Sequence, residues 1–336
     1  MNLEELNKIA NKMTAPGTGI LAADESSGTI KKRFDSIGVQ STETNRRDWR
    51  ELLFRTQPAM TDYIGGVILF DETLRQSSDD GTPLVKLIED SGAIPGIKVD
   101  AGAQDMAAFS GEKITAGLDG LRNRMSEYYE LGARFAKWRA VIEIDDVRPS
   151  NACVTANCHA LARYAAICQE AQIVPIVEPE VLMDGAHSVD RCAEVTIAGL
   201  KTLFMELHTQ GVALEGIILK PNMAISGKKC ADQACVDEVA EKTVAALKAA
   251  VPASVPGIAF LSGGQSDLEA TAHLNAMNAG FDLPWNLTFS YGRALQAAPL
   301  AAWAGSDVAA GQAAFAHRAH MNGLASKGEW NEDMEG

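Results

Sequence analysis

The stretch Val174-Pro-Ile-Val-Glu-Pro-Glu180, echoed by Ile217-Ile-Leu-Lys-Pro-Asn222, decides how this chain reads. Both open as Val- and Ile-rich runs of the kind that forms a strand buried on two faces, and both break into charge at the carboxyl end. A Glu or Lys just past the last apolar residue of such a strand sits at the sheet edge, half desolvated and rigidly held, which suits a catalytic side chain. The same form recurs at 19–25 (Gly-Ile-Leu-Ala-Ala-Asp-Glu), 66–72 (Gly-Val-Ile-Leu-Phe-Asp-Glu), 94–100 (Ile-Pro-Gly-Ile-Lys-Val-Asp) and 135–139 (Phe-Ala-Lys-Trp-Arg). It returns at 257–264 and 285–293, so that with 173–180 and 216–222 there are eight such segments.

Between them lie stretches with helical spacing, such as Leu-Ala-Arg-Tyr-Ala-Ala-Ile at 161–167 and Val-Ala-Glu-Lys-Thr-Val-Ala-Ala-Leu at 239–247. Alternating strand and helix implies parallel strands with helical crossovers, and eight units close most naturally as a (β/α)8 TIM barrel, an α/β fold. A barrel takes roughly 250 residues. The remainder of the 336 is read as an N-terminal helix, with Leu3, Leu6, Ile9 and Met13 on one face, and a C-terminal tail segment. Residues 1–336 are therefore expected to form a single barrel domain, since no low-complexity linker or internal repeat divides them.

The net charge of −14 argues against nucleic acid or an anionic membrane as partner, because both require clustered Lys and Arg. It leaves anionic small molecules open, since local side chains set the potential of a cleft. The six cysteines (153, 158, 168, 192, 230 and 235) form no Cys-x-x-Cys pair and no zinc-finger spacing, and reduced thiols are expected. No apolar run reaches the roughly 18 residues of a membrane span, and Met-Asn-Leu-Glu-Glu is too acidic for a signal peptide. A cytoplasmic protein is expected.

Lys98, Lys137 and Lys220 each fall within or just after an apolar segment, where an unpaired ammonium is costly. Any one alone reads equally well as a salt bridge to a neighbouring strand. Three together point to chemistry: a lysine desolvated beside another cation has its pKa lowered and can attack a carbonyl to give a Schiff base, as Lys137 beside Lys220 would. Glu178, Glu180, Asp24 and Asp71 are candidates for the proton transfers this requires. Glu178 and Glu180, two apart on a strand, point the same way, which predicts split pKa values with one carboxyl protonated near neutral pH. The competing reading is a carboxylate pair holding a divalent metal. Ser262-Gly263-Gly264 and Ser290-Tyr291-Gly292-Arg293 end the seventh and eighth strands, where barrels commonly bind phosphate, and Lys98 with Arg139 offers a second anion site. His317 and His320, three apart, read as a solvated helix face.

Six motifs in order carry a resemblance over nearly the whole chain: Leu-Ala-Ala-Asp-Glu-Ser (21–26), Phe-Ala-Lys-Trp-Arg (135–139), Val-Glu-Pro-Glu (177–180), Leu-Lys-Pro-Asn-Met (219–223), Phe-Leu-Ser-Gly-Gly-Gln (260–265) and Thr-Phe-Ser-Tyr-Gly-Arg-Ala-Leu-Gln (288–296). Together they resemble class I fructose-bisphosphate aldolase. The resemblance implies reversible cleavage of a phosphorylated sugar, fructose 1,6-bisphosphate, without cofactor or metal, in glycolysis and gluconeogenesis. It implies Lys220 as the Schiff-base lysine and Glu178 as the acid and base for the imine. Asp24, with Lys137 and Glu180, would surround the hydroxyl whose proton leaves as the carbon–carbon bond breaks. Ser262, Gly263, Gly292 and Arg293 correspond to the site for the ketone-half phosphate. Lys98 and Arg139 correspond to the aldehyde-half site, with Arg33 and Ser26 as further candidates nearby. A homotetramer, or a dimer, is implied as well.

Two departures stand out. Animal members end in a tail with a terminal tyrosine that assists proton exchange on the enamine, whereas no tyrosine follows Tyr291 here, so another group or water is expected to serve. Ala101 stands where relatives often carry lysine. Two rival functions remain at this stage: a metal-dependent barrel lyase using Asp24, Glu178 and Glu180 as ligands, and a non-catalytic scaffold.

Overall fold

A computed structural model describes residues 1–336. Ten strands form: β1 Gly19–Ala23, β2 Ile64–Leu69, β3 Ile94–Lys98, β4 Ala103–Asp105, β5 Lys113–Thr115, β6 Phe135–Ile142, β7 Val174–Val181, β8 Ile218–Leu219, β9 Gly257–Phe260 and β10 Asn286–Tyr291. Eight close into a parallel barrel in the order β1-β10-β9-β8-β7-β6-β3-β2, and β4 and β5 make a separate antiparallel hairpin. All eight expected barrel strands are present. The hairpin, exposed along β4, was not foreseen, nor was the set of short helices that follows β1 and β2.

Helices predicted around 161–167 and 239–247 run over Asn151–Glu170 and Val236–Ala250. Their apolar faces and the outward residues of the strands, such as Leu21, Ala23, Val177 and Leu219, share one core cluster of 67 buried residues. The barrel interior is a second cluster, of only 13: Ile20, Ala22, Ile68, Ile94, Phe135, Val174, Ile176, Ile218 and Ala259 meet Leu6, Ile9, Ala10 and Met13 of the helix Leu3–Met13. That helix plugs the N-terminal end of the barrel. Its length is set by Asn2, whose side chain caps it, and its burial by the apolar face already visible in the sequence. The Phe135 ring fills the space inside: a Cβ on Gly96 would stand 2.4 Å from it, and one on Gly66 3.1 Å. Glycine at both positions is the counterpart of that one large side chain.

Candidate active site

Side chains alternate across a strand, so the residues that face into the barrel keep one parity along each strand. On β7 this runs Val174, Ile176, then Glu178 and Glu180; on β6 it runs Phe135, then Lys137 and Arg139. Beyond the ends of β1, β3 and β8 it delivers Asp24, Asp100 and Lys220, and beyond β9 and β10 it delivers Gly263 and Gly292. The charged residues and glycines of this set line one cavity of about 920 Å³ at the C-terminal mouth, large enough for a sugar bisphosphate, while Phe135, Val174 and Ile176 belong to the apolar cluster.

Its centre is a chain of alternating charge. Lys137 Nζ lies 2.5 Å from Asp24 Oδ2 and 3.4 Å from Glu178 Oε2, while Lys220 Nζ lies 3.3 Å from Glu178 Oε1. The side chains of Lys220 and Glu178 are each 4% exposed, so these charges interact with little screening. Lys220 is fixed by the neighbouring strand β7: its N–H donates to Val177 O at 2.9 Å, and Asn222 Oδ1 accepts from Val181 N at 3.0 Å, tying the ends of β7 and β8 together.

The two lysines differ in kind. Burial, with Lys137 adding to it, pulls the Lys220 pKa below the ordinary lysine value, although Glu178 opposes the shift. Burial also works against the Lys137 ammonium, but Asp24 and Glu178 outweigh it and push its pKa up. Asp24 resists desolvation through Lys137 and Lys220, which bring it down to about 2. Glu178 is likewise lowered by the two ammoniums against the effect of burial, and its Oε2 accepts no hydrogen bond.

This corrects one expectation. Glu178 and Glu180 do share the mouth-facing side of β7, but the mutual splitting predicted for them, with one carboxyl protonated, is not what sets the charge of Glu178. Glu178 sits between two lysines and is held ionised, while Glu180 forms an ion pair with Arg139 on β6. Strand spacing showed which residues share a face, not which cations the adjacent strand would bring.

Around the centre, each expected substrate-binding residue lines the cavity: Ser26, Arg33, Lys98, Arg139, Ser262, Gly263, Gly292 and Arg293. Lys98 Nζ is held by the Asp100 carboxylate at 2.6 Å and its carbonyl at 3.0 Å, and Asp100 also accepts from the N–H groups of Gly102 and Arg139. Arg33 pairs with Glu25 and lies against the Gly292 turn, where a Cβ would stand 3.5 Å from its Nη2. Arg293 forms no ion pair with a carboxylate. The Ser262-Gly263-Gly264 turn is wedged by Met183, whose Cε would meet a Cβ on Gly263 at 2.1 Å, and its Gly264 has φ +81°. The helix Asp267–Gly280 begins just beyond, closed by a capping box between Ser266 and Glu269.

Asp71 is not brought to the site. It opens the helix Asp71–Arg75, half exposed, paired with Arg75 and accepting from Tyr128 Oη at 3.0 Å. His317 and His320 lie on the helix Val308–Ala325 but are not simply solvated: His317 meets Glu335 at 3.2 Å and His320 stacks on Tyr63 at 5.0 Å. Asp24, Glu178 and Glu180 do not form a metal cage, since no three His, Cys, Asp or Glu side chains gather in position to hold an ion. Missed in the sequence were Asp100, Glu25 and Ser290, a buried serine whose Oγ finds no partner. Asp100 and Ser290 both lie on the inward parity, a signal that would have found them. All six cysteines are free, four of them buried.

Residues 5–336 match the family model described as fructose-bisphosphate aldolase class-I. The chain is 57% identical over 333 residues to a probable fructose-bisphosphate aldolase class 1 of Xanthomonas campestris pv. campestris, covering 98% of this chain and 99% of the relative. It is 52% identical over 336 residues to the cytosolic fructose-bisphosphate aldolase 5 of Arabidopsis thaliana, covering 99% and 93%. Among solved structures, the fructose-bisphosphate aldolase from Plasmodium falciparum, in complex with TRAP and a small-molecule inhibitor, superposes with a TM-score of 0.96 at 47% identity, covering 98% of this chain and 96% of that one.

Proposed function

Since the chain belongs to the class I fructose-bisphosphate aldolase family, we propose that Lys220 is its nucleophile and that Glu178 moves the protons of imine formation. The activity itself is that of the family: a lyase that reversibly cleaves fructose 1,6-bisphosphate to dihydroxyacetone phosphate and glyceraldehyde 3-phosphate through a lysine Schiff base. The observation that carries the residue assignment is the opposite behaviour of two buried lysines flanking one carboxylate. Only Lys220 has its pKa lowered toward the range where a neutral amine is available.

In the proposed sequence, the Glu178 carboxylate takes a proton from the Lys220 ammonium, and the free amine attacks the ketone carbonyl to give a carbinolamine. Protonated Glu178 then gives its proton to the departing hydroxyl, which leaves as water, and a cationic imine remains. Asp24, kept ionised by Lys137, accepts the proton of the C4 hydroxyl as the C3–C4 bond breaks. The bonding pair flows to the imine nitrogen, leaving an enamine on Lys220 and a free aldehyde. Lys137 and Glu180 flank that hydroxyl. The ketone-half phosphate is read onto Ser262, Gly263, Gly292 and Arg293, and the aldehyde-half phosphate onto Lys98 and Arg139 with Ser26 nearby; Arg33, which the resemblance grouped with the aldehyde half, is assigned instead to the ketone half because its guanidinium lies against Gly292. Holding both ends fixes the scissile bond over Lys220.

The test is borohydride reduction of the protein with dihydroxyacetone phosphate and a chelator, followed by peptide mass mapping. A stable adduct on Lys220 is expected; an adduct on Lys137 would exchange the lysine roles. No adduct, together with chelator-sensitive cleavage, would return the metal-dependent reading. A cytoplasmic location and a homotetrameric or dimeric assembly belong to the same proposal. The cytosolic Arabidopsis relative favours the former, and no helix is long and apolar enough to cross a membrane.

A further inference from the structure

Directly behind Asp24 the chain builds a second buried charge cluster that the reaction steps above do not use. Glu25 follows Asp24 just beyond the end of β1 and lines the same cavity, and its carboxylate reaches the helix Glu43–Phe54 through Arg50. Its carboxylate accepts from Arg33 and from Gln296 Nε2, at 2.9 Å, on one oxygen, and from Arg50 on the other. Gln296 is itself locked: its Nε2 donates to Ala22 O at 2.8 Å and its Oε1 accepts from Trp49 Nε1 at 3.2 Å.

Two guanidiniums thus share one carboxylate. Arg50 is 3% exposed, and its Nε and Nη1 find no acceptor, so within the cluster two positive charges meet one negative, with Asp24 acting on Arg50 only through its charge. A surplus of this kind is expensive to bury, and packing alone would be served as well by an apolar pair. The surplus has an outlet only through Arg33, the quarter-exposed member, which lies on the cavity wall against Gly292. Arg33 sits in the last turn of the helix Ser27–Asp35, which follows Glu25 at once, so the Glu25 contact also fixes how that short helix leans over the mouth.

We propose that Glu25 is a positioning residue for the ketone-half phosphate: anchored by Arg50 and Gln296, it aims the Arg33 guanidinium at the Gly292–Arg293 turn, where a bound phosphate completes the charge balance. The proposal rests on reading that turn as a phosphate site. Glu25 touches no reacting atom. It acts on binding, and the expected signature is a change in KM without one in kcat.

The experiment measures kcat, KM for fructose 1,6-bisphosphate and inhibition by inorganic phosphate in Arg33→Gln, Glu25→Asp and the double variant. Arg33→Gln is expected to raise KM about tenfold, the loss of one charge-assisted phosphate contact. Glu25→Asp keeps the charge but withdraws it by one methylene. It should raise KM and the phosphate inhibition constant about fivefold, leave kcat within about twofold, and add almost nothing in the Arg33→Gln background. If Arg33→Gln leaves KM unchanged, the phosphate-site reading fails and the proposal with it. If Arg33→Gln raises KM but Glu25→Asp does not, the positioning role alone is overturned. A fall in kcat at constant KM would overturn it too, by showing that Glu25 acts through Asp24. Should Glu25→Asp fail to fold, Gln296→Met loosens the same carboxylate without altering charge: a KM rise at constant kcat supports the proposal, and an unchanged KM overturns it.

Discussion

The two ends of the barrel interior are made by the same strands, on the same alternating set of residues, and they are opposites. At the N-terminal end Ile20, Ile94, Val174, Ile176 and Ile218 close around Phe135 and the helix Leu3–Met13 with no charge among them. Two residues further along β6, β7 and β8, and four further along β3, at the same parity, come Lys137, Glu178, Lys220 and Lys98. The lower end stabilises the barrel by removing apolar surface from water, whereas the upper end costs stability because each charge must be desolvated and then matched. Function is bought at one end with stability made at the other.

The variant expected to separate the two ends most is Lys220→Met. It should cut kcat by roughly 10^5-fold, as loss of a covalent nucleophile does, and abolish the borohydride adduct. Melting should occur at the same temperature or a higher one, because a buried cation with a lowered pKa is removed. A stability loss comparable to a core deletion would break the comparison.

Phe135→Ala is the reverse case. The ring is fully buried over Gly66 and Gly96, and its loss should cost about 3–5 kcal/mol in denaturant unfolding. The folded fraction should keep nearly normal kcat; a collapse of kcat at full occupancy of the folded state would mean that the plug also shapes the mouth.

Glu178→Gln comes next, with an expected loss of about 10^2- to 10^3-fold in the rate of imine formation, followed by rapid-quench borohydride trapping. Phosphate affinity should be nearly unchanged, and a large loss of affinity at unchanged rate would refute the assignment.

The smallest effect concerns the shell behind the Ser262-Gly263-Gly264 turn. His273 is buried, its Nδ1 2.7 Å from Gln265 Oε1, and burial pulls its pKa from 6.5 to about 4. The unfolded chain takes up a proton near 6.5 and the folded one resists it until about 4, so stability is fully present above 6.5 and falls as pH drops through that window. The loss reaches about 3 kcal/mol at its lower end. His273→Gln should flatten the decline in urea midpoint between those pH values, and an equal slope in both proteins would dismiss this role.

All eight barrel strands were legible because a strand covered on both faces leaves a continuous run such as Val174–Val177, and the polar break that follows marks its mouth end. Lys220, Glu178 and Asp24 were legible for the same reason. The β4–β5 hairpin was not, because Ala-Gln-Asp and Lys-Ile-Thr carry neither an apolar run nor a turn signal strong enough to separate them from loop. Asp71 has the same sequence setting as Asp24, an acid after an apolar run. It begins a helix instead of ending on the inward face, and parity counted from Ile68 would have passed to Phe70 and excluded it. The Glu25 cluster joins residues 8, 25 and 271 positions apart, and no local pattern encodes such a meeting.

The pairing of β1 with β10 closes the sheet by joining residues 20–21 to residues 290–291. During synthesis β1 emerges first and then waits for its partner, on the order of tens of seconds at ordinary ribosomal speeds. Through that interval the growing sheet has an unpaired edge on either side, and Ile20 and Leu21 lack the neighbours that later bury them. A barrel with no free strand edge once closed therefore passes through a nascent stage in which edges are its main liability.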